Sequence, residues 1–131
     1  MSILRCSIAL LITTKVFAEG KVLSFDERVV LAKEVEARPS ARHYLNETFY
    51  PAIGTLGPVV QECLKQPNAS TERFSLVADI DLAGKFINVD YQPKTVTAAC
   101  FSHAIRDLTI HAPPTCDCAR LPIVIEMNIA P

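Results

Sequence analysis

The sequence predicts an α+β domain: a small three-stranded antiparallel sheet with one helix packed on it, in the order β-β-α-β, preceded by an N-terminal helical region. Three observations predict it. Two alternating apolar runs, Phe74 to Asp81 and Phe86 to Tyr91, flank a glycine-containing turn. An amphipathic segment from Thr97 to Leu108 follows, and a third apolar run, Leu121 to Ile129, comes after a double proline. Period-two alternation is the mark of a half-buried strand, and a 3.6-residue stripe is the mark of a helix that covers it.

The first eighteen residues read as a secretory signal peptide. Arg5 supplies a positive n-region, Cys6 to Thr14 a short apolar core, and Val16-Phe17-Ala18 a small-residue cleavage site before Glu19. Lys15 interrupts the apolar run, which is shorter than the roughly 20 residues that a bilayer span requires. The expected division is therefore 1–18 signal peptide, 19–71 helical region and 72–131 α+β domain. Cleavage would remove two basic residues, Arg5 and Lys15, and take the formal charge from −1 to −3. With no basic patch, nucleic acid is a poor partner on electrostatic grounds, and none is expected.

Ser24-Phe25-Asp26-Glu27 has the pattern of a capping box, which starts a helix whose apolar stripe is Phe25, Val29, Ala32 and Val35. Pro39 ends that helix at or before Arg38. Ser40 can cap a second helical segment through Tyr44 and Leu45 to Phe49, and Pro51 kinks or restarts it. A third run, Val59 to Lys65, has Pro58 at its favoured start, and Pro67 to Thr71 is a loop by composition.

In the hairpin, Phe74, Leu76, Ala78 and Ile80 share one face of the first strand, and Ser75, Val77, Asp79 and Asp81 share the other. Asp81 to Lys85 form the turn, with Gly84 available for a positive φ. Strict alternation in the second strand puts Phe86, Asn88 and Asp90 against Ile87, Val89 and Tyr91, and Pro93 ends it. Thr95 or Thr97 caps the next helix, whose stripe is Ala98, Phe101, Ile105 and Leu108, with Ala104 alongside. In the last strand Ile123, Ile125, Met127 and Ile129 face one way, and Val124, Glu126 and Asn128 the other.

Without Cys6, the cysteines number four: Cys63, Cys100, Cys116 and Cys118. An even count in an exported chain suggests disulfides, with three connectivities open. One intervening residue strains a Cys116–Cys118 bridge. Cys63–Cys100 is the easier pair and would tie one helix to another.

This order of elements resembles the C-terminal domain of TonB-like periplasmic proteins. The matching residues are Phe74 to Asp81, Gly84-Lys85, Phe86 to Pro93, Ala98 to Ile110, Pro113-Pro114 and Pro122 to Ile129, just under half the chain. The chain departs from an energy-transducing TonB in having neither a membrane anchor nor a long proline-rich spacer. The resemblance implies a fold and a mode of binding, in which an extended segment of a protein partner adds to the sheet edge. The corresponding edge is the last strand, at Ile123, Val124, Ile125, Glu126 and Met127. The expected protein is a non-enzymatic, exported (periplasmic or secreted) binding module without a cofactor.

Rival chemistries are weaker. Cys116 and Cys118, with His111 five residues earlier, could form a metal or thiol-redox site, although two thiolates alone leave a tetrahedral site incomplete. The plain alternative is that these cysteines are oxidised together, paired with another cysteine, or idle in a surface loop. His43 and His103 lack partner patterns, and Asp79, Asp81 and Asp90 read as the solvated face and turn of a half-exposed sheet. No phosphate loop, nucleophile elbow or zinc-protease helix is present. The sequons at Asn46 and Asn68 read as chance in a bacterial exported chain. An exported inhibitor that acts through its sheet edge is a further alternative, and an exposed edge could equally pair with a second copy of the chain.

Overall fold

A computed structural model describes residues 22–114 and 120–129. Residues 1–18, expected to be a signal peptide, and Cys116, Asp117 and Cys118 lie outside the described residues. Helices α1 (Phe25–Glu36) and α2 (Pro39–Tyr44) lead into a π-helical turn (Leu45–Phe49), then α3 (Tyr50–Gly54) and α4 (Gly57–Leu64). Strands β1 (Phe74–Asp81) and β2 (Phe86–Gln92), helix α5 (Val96–Asp107) and strand β3 (Arg120–Met127) complete the expected β-β-α-β order. Among the described residues no helix is long and apolar enough to cross a membrane.

The sheet is antiparallel with strand order β2-β1-β3. Directly opposed residues share a face, so Leu76↔Ile125, Ala78↔Ile123 and Ile80↔Leu121 set one apolar side. Ala98, Phe101 and Ile105 of α5 join them in the core, where the Phe74 and Phe101 rings meet edge-on at 5.8 Å. Leu45, Phe49 and Leu56 belong to the same core, and the Phe49 and Phe86 ring centres are 6.1 Å apart.

The other face, which carries Ser75, Val77, Asp79, Val124 and Glu126, is covered at Val77 and partly at Ser75, Asp79 and Val124, with Glu126 exposed. Helix α1 packs on β3 and β1. Arg28 comes within 4.0 Å of Asp79, and Lys33 within 2.8 Å of Glu126. Val77 and Ala32 are each 1% exposed. The expected half-exposed sheet is therefore corrected: Val77 is an apolar demand on the second face, and the Ala32 side of α1 meets it.

The local devices follow from sequence. Ser24 and Glu27 form the capping box, with Ser24 Oγ accepting from the Glu27 amide at 3.1 Å and Glu27 accepting from the Ser24 amide at 2.9 Å. Helix α2 starts at Pro39 rather than at a Ser40 cap, because proline suits a first helical turn. Pro51 has no N–H and would press on the carbonyl one turn back. The helix accommodates it by widening, so that the Tyr50 amide bonds the Leu45 carbonyl five residues earlier. Thr95 caps α5. Thr97 is instead buried, accepting from the Ser70 amide and donating to the Ser70 carbonyl, each at 2.8 Å.

Cys63 and Cys100 are joined, with Cα atoms 5.6 Å apart, and the bond ties α4 to α5. It closes a loop with a sequence separation of 37. The Cys63→Ser/Cys100→Ser double variant is expected to lose roughly 3–4 kcal/mol of stability on the chain-entropy model, read from urea midpoints. Peptide mapping of oxidised protein should find neither thiol alkylatable before reduction.

In the hairpin turn the Asp81 carboxylate accepts from the Ala83 and Lys85 amides, each at 2.9 Å, and Gly84 takes φ +79°. The Gly84 carbonyl accepts from the Ile110 amide at 3.0 Å, which ties the turn to the segment after α5. A Cβ at Gly84 would run into the Ile110 carbonyl oxygen, a backbone atom that cannot rotate away. Gly84→Ala should therefore cost about 2–3 kcal/mol or more; an unchanged thermal midpoint would contradict the account of this turn.

Candidate functional site

Among the described residues β3 pairs only with β1. Along its outer side, Val124, Ile125, Glu126 and Met127 line a cleft of about 760 Å³. These four consecutive residues alternate between the sheet faces, so a cavity that touches all of them runs along the strand's edge rather than across one face. Lys33, Glu36 and Ala37 at the end of α1 form one wall. The other is built by Arg42 of α2, Leu45, Asn46 and Phe49 of the π-helical turn, and Tyr50 and Ile53 of α3. Of the five residues expected at the edge, Ile123 is buried and does not line the cleft.

The sequence shows why the walls stand where they do. Pro39 breaks the chain between α1 and α2, so α1 can take the second face while α2 and α3 serve the first. The widened turn before Pro51 then carries Leu45 and Phe49 into the core.

Three of the four charged side chains lining the cleft have local partners. The Glu126 hydrogen bond and charge, reinforced by Glu36, hold the Lys33 ammonium above its ordinary pKa. The Tyr50 hydroxyl donates to Glu36 at 3.1 Å. Burial, followed by the Glu36 charge and hydrogen bond, raises the Tyr50 phenol. Arg42 is exposed and forms no ion pair among the described residues.

The opposite edge is arranged differently. Between Val77↔Asp90 and Asp79↔Ile87, β2 carries one extra residue, a bulge in which Asn88 has φ +53°. The bulge shifts the expected alternation: Phe86 and Tyr91 oppose Ile80 and Leu76 on one face, while Ile87 and Asp90 oppose Asp79 and Val77 on the other. Arg28 of α1 donates to the Asn88 carbonyl at 2.7 Å, and Arg106 of α5 donates to the Val89 carbonyl at 3.4 Å. The Asn88 amide donates to Asp79 at 3.0 Å, and Arg120 approaches the same carboxylate at 3.8 Å. Partial burial pushes Asp90 up, but the Lys94 hydrogen bond, the Tyr91 amide and the charges of Lys94 and Arg28 outweigh it and hold its pKa below the usual value.

His111, the described member of the candidate metal trio, is exposed, and its backbone carbonyl accepts the Tyr44 hydroxyl at 2.6 Å. Cys116 and Cys118 lie outside the described residues. Among the described residues no group of three or more His, Cys, Asp or Glu side chains could hold a metal ion. His43 and His103 are exposed on α2 and α5. A second, smaller cavity of about 70 Å³ lies beside Tyr44, Leu82, Pro113 and Leu121.

Fold and site together define a helix-backed antiparallel sheet with a walled cleft along one outer strand. No family model, curated protein or solved structure matches the chain.

Burial raises the Tyr44 phenol from its ordinary 10.0 to about 12. The protonated form is thus favoured by folding. Its stability contribution is fully present below pH 10 and is lost as pH rises through about 12. An ultraviolet titration should resolve one of the three tyrosines near pH 12, and Tyr44→Phe should abolish that step. The variant should also cost about 1 kcal/mol, the ordinary net worth of one hydrogen bond.

Proposed function

We propose that this chain is a non-enzymatic binding module that receives an extended segment of a protein partner alongside β3, as the likeness to TonB C-terminal domains implies. The observation that carries the reading is the cleft itself. An outer strand with only one paired side offers unpaired N–H and C=O groups to an incoming strand. Here that side is bordered by open space of about 760 Å³ rather than by packed protein.

Pro122 supports the same polarity. A proline in a strand suits a position whose nitrogen faces away from the ladder. By the period of two, Val124 and Glu126 then direct their backbone groups outward with it. The four lining residues cover about 13 Å at strand rise, a span for a few residues of partner chain. Apolar pockets at Leu45, Phe49 and Ile53 would take its alternate side chains.

Export to an oxidising compartment belongs to the same proposal. The Cys63–Cys100 bond is of a kind that persists outside the reducing cytosol, and the residues 1–18 carry the expected signal pattern.

A displayed library of random peptides, panned on the oxidised protein, tests the binding mode. Binders should be extended sequences of alternating apolar residues, and adding them should slow amide exchange at Val124 and Glu126 while leaving β2 unchanged. Failure to select any binder, or protection confined to β2 or to α5, would sink the proposal.

A further inference from the structure

We infer that the segment taken up by this cleft carries an internal acidic side chain that pairs with Arg42, an inference that rests on the strand-pairing reading. The charges lining the cleft are unevenly satisfied. Lys33 and Glu126 are bonded to each other at 2.8 Å, and Glu36 accepts from Tyr50 while lending its charge to Lys33. Arg42, on the facing wall, has no such partner among the described residues.

A strand lying on β3 would displace water from that wall. Taking a guanidinium out of water without a counter-charge is unfavourable, so a neutral or basic occupant binds at a penalty. A carboxylate removes the penalty and matches the planar guanidinium fork in two parallel hydrogen bonds.

The other wall fixes the direction. Glu36 stands there with Lys33, and Glu126 of β3 lies against the same side, so two carboxylates meet one ammonium. An acidic side chain turned toward α1 would meet this excess of like charge, whereas turned toward α2 it meets Arg42. Among the remaining lining residues Leu45, Phe49, Ile53, Ile125 and Met127 are apolar, and Asn46 and Tyr50 add neutral polar groups. The occupant is therefore an extended segment of alternating apolar residues with a single Asp or Glu on the α2 side. A side-chain source is favoured over a chain terminus because Arg42 stands on a lateral wall, facing the edge along which the backbone would run.

The test uses acetylated, amidated hexapeptides of alternating valine and threonine with one internal Glu, Gln or Lys, titrated into oxidised full-length protein by calorimetry. At low salt the Glu peptide should bind about tenfold more tightly than the Gln peptide, a gap that narrows as salt screens the pair. Arg42→Gln should erase the gap, and Arg42→Glu should reverse the order in favour of the Lys peptide. Both substitutions are on an exposed helical position, and circular-dichroism melting checks that the fold is kept. Equal affinity for the Glu and Gln peptides, with neither variant changing it, overturns the charge pairing and leaves strand addition standing. If no peptide of the set binds the unmodified protein, strand addition itself is overturned. A Gln peptide with a free terminal carboxylate that equals the Glu peptide overturns the side-chain assignment.

Discussion

β1 has no free side, and the rest of the molecule is arranged around that constraint. Phe74, Leu76, Ala78 and Ile80 require cover on one face, Val77 requires it on the other, and β2 and β3 take the two edges. Fully burying a large aliphatic or aromatic side chain contributes about 1.5–3 kcal/mol. An exposed ion pair such as Lys33–Glu126 is screened by water and salt and adds little beside that. Apolar burial therefore decides that α1 lies on the second face, and its ion pairs adjust how it sits there. The Cys63–Cys100 bond acts at a distance from the sheet, fixing α4 against α5, the helix that closes the first face.

The bulge in β2 would leave backbone carbonyls without ladder partners. It is tolerated because arginines approach from both layers, Arg28 from α1 and Arg106 from α5. Asp79 organises the α1 side of this arrangement, facing Arg28, Arg120 and the Asn88 amide. Its cost of partial burial is offset by charge-assisted contacts, which are stronger than neutral hydrogen bonds. The three aspartates of the hairpin thus have separate structural tasks: Asp79 meets arginines, Asp81 shapes the turn, and Asp90 holds Lys94. None of these tasks requires acid–base chemistry.

Much of this was legible in the residues, and what was not has physical reasons. Ser24 with Glu27, Gly84 in its turn, the Phe101–Ile105 stripe and the Cys63–Cys100 pairing all depend on short-range patterns or on a small number of alternatives. The covered second face depends on a tertiary choice. Val77 and Ala32 fit it equally well whether α1 packs there or elsewhere, and only the competition for buried area settles the matter. The bulge had a faint signal in Asn88, a residue that tolerates positive φ better than most, but regular alternation around it concealed the extra residue. Pro51 signalled a break, yet not that the helix would widen instead of stopping. The last strand was expected as an edge at Ile123 to Met127, of which Ile123 does not line the cleft; the walls were not readable, because Lys33, Arg42 and Phe49 come from three elements remote in sequence.

The same geometry bears on how an outer strand that is unpaired among the described residues could avoid uncontrolled association. An unpaired strand edge is a template for any other chain, and proteins usually shorten it, charge it or cover it. Here two helical walls flank β3 at Val124–Met127, and a charged pair, Lys33–Glu126, lies at its side. A folded neighbour brings its own layers of side chains with its edge strand, and those layers must compete with α1 and α3 for the same space. A single extended segment brings only alternating side chains, and the cleft has apolar surface on one wall to receive them. Under the strand-addition proposal the walls would select by thickness before any side chain is read, and Arg42 would then add a preference of charge. On the proposed strand addition, selection in that order would make the edge a specific receptor and not an aggregation site.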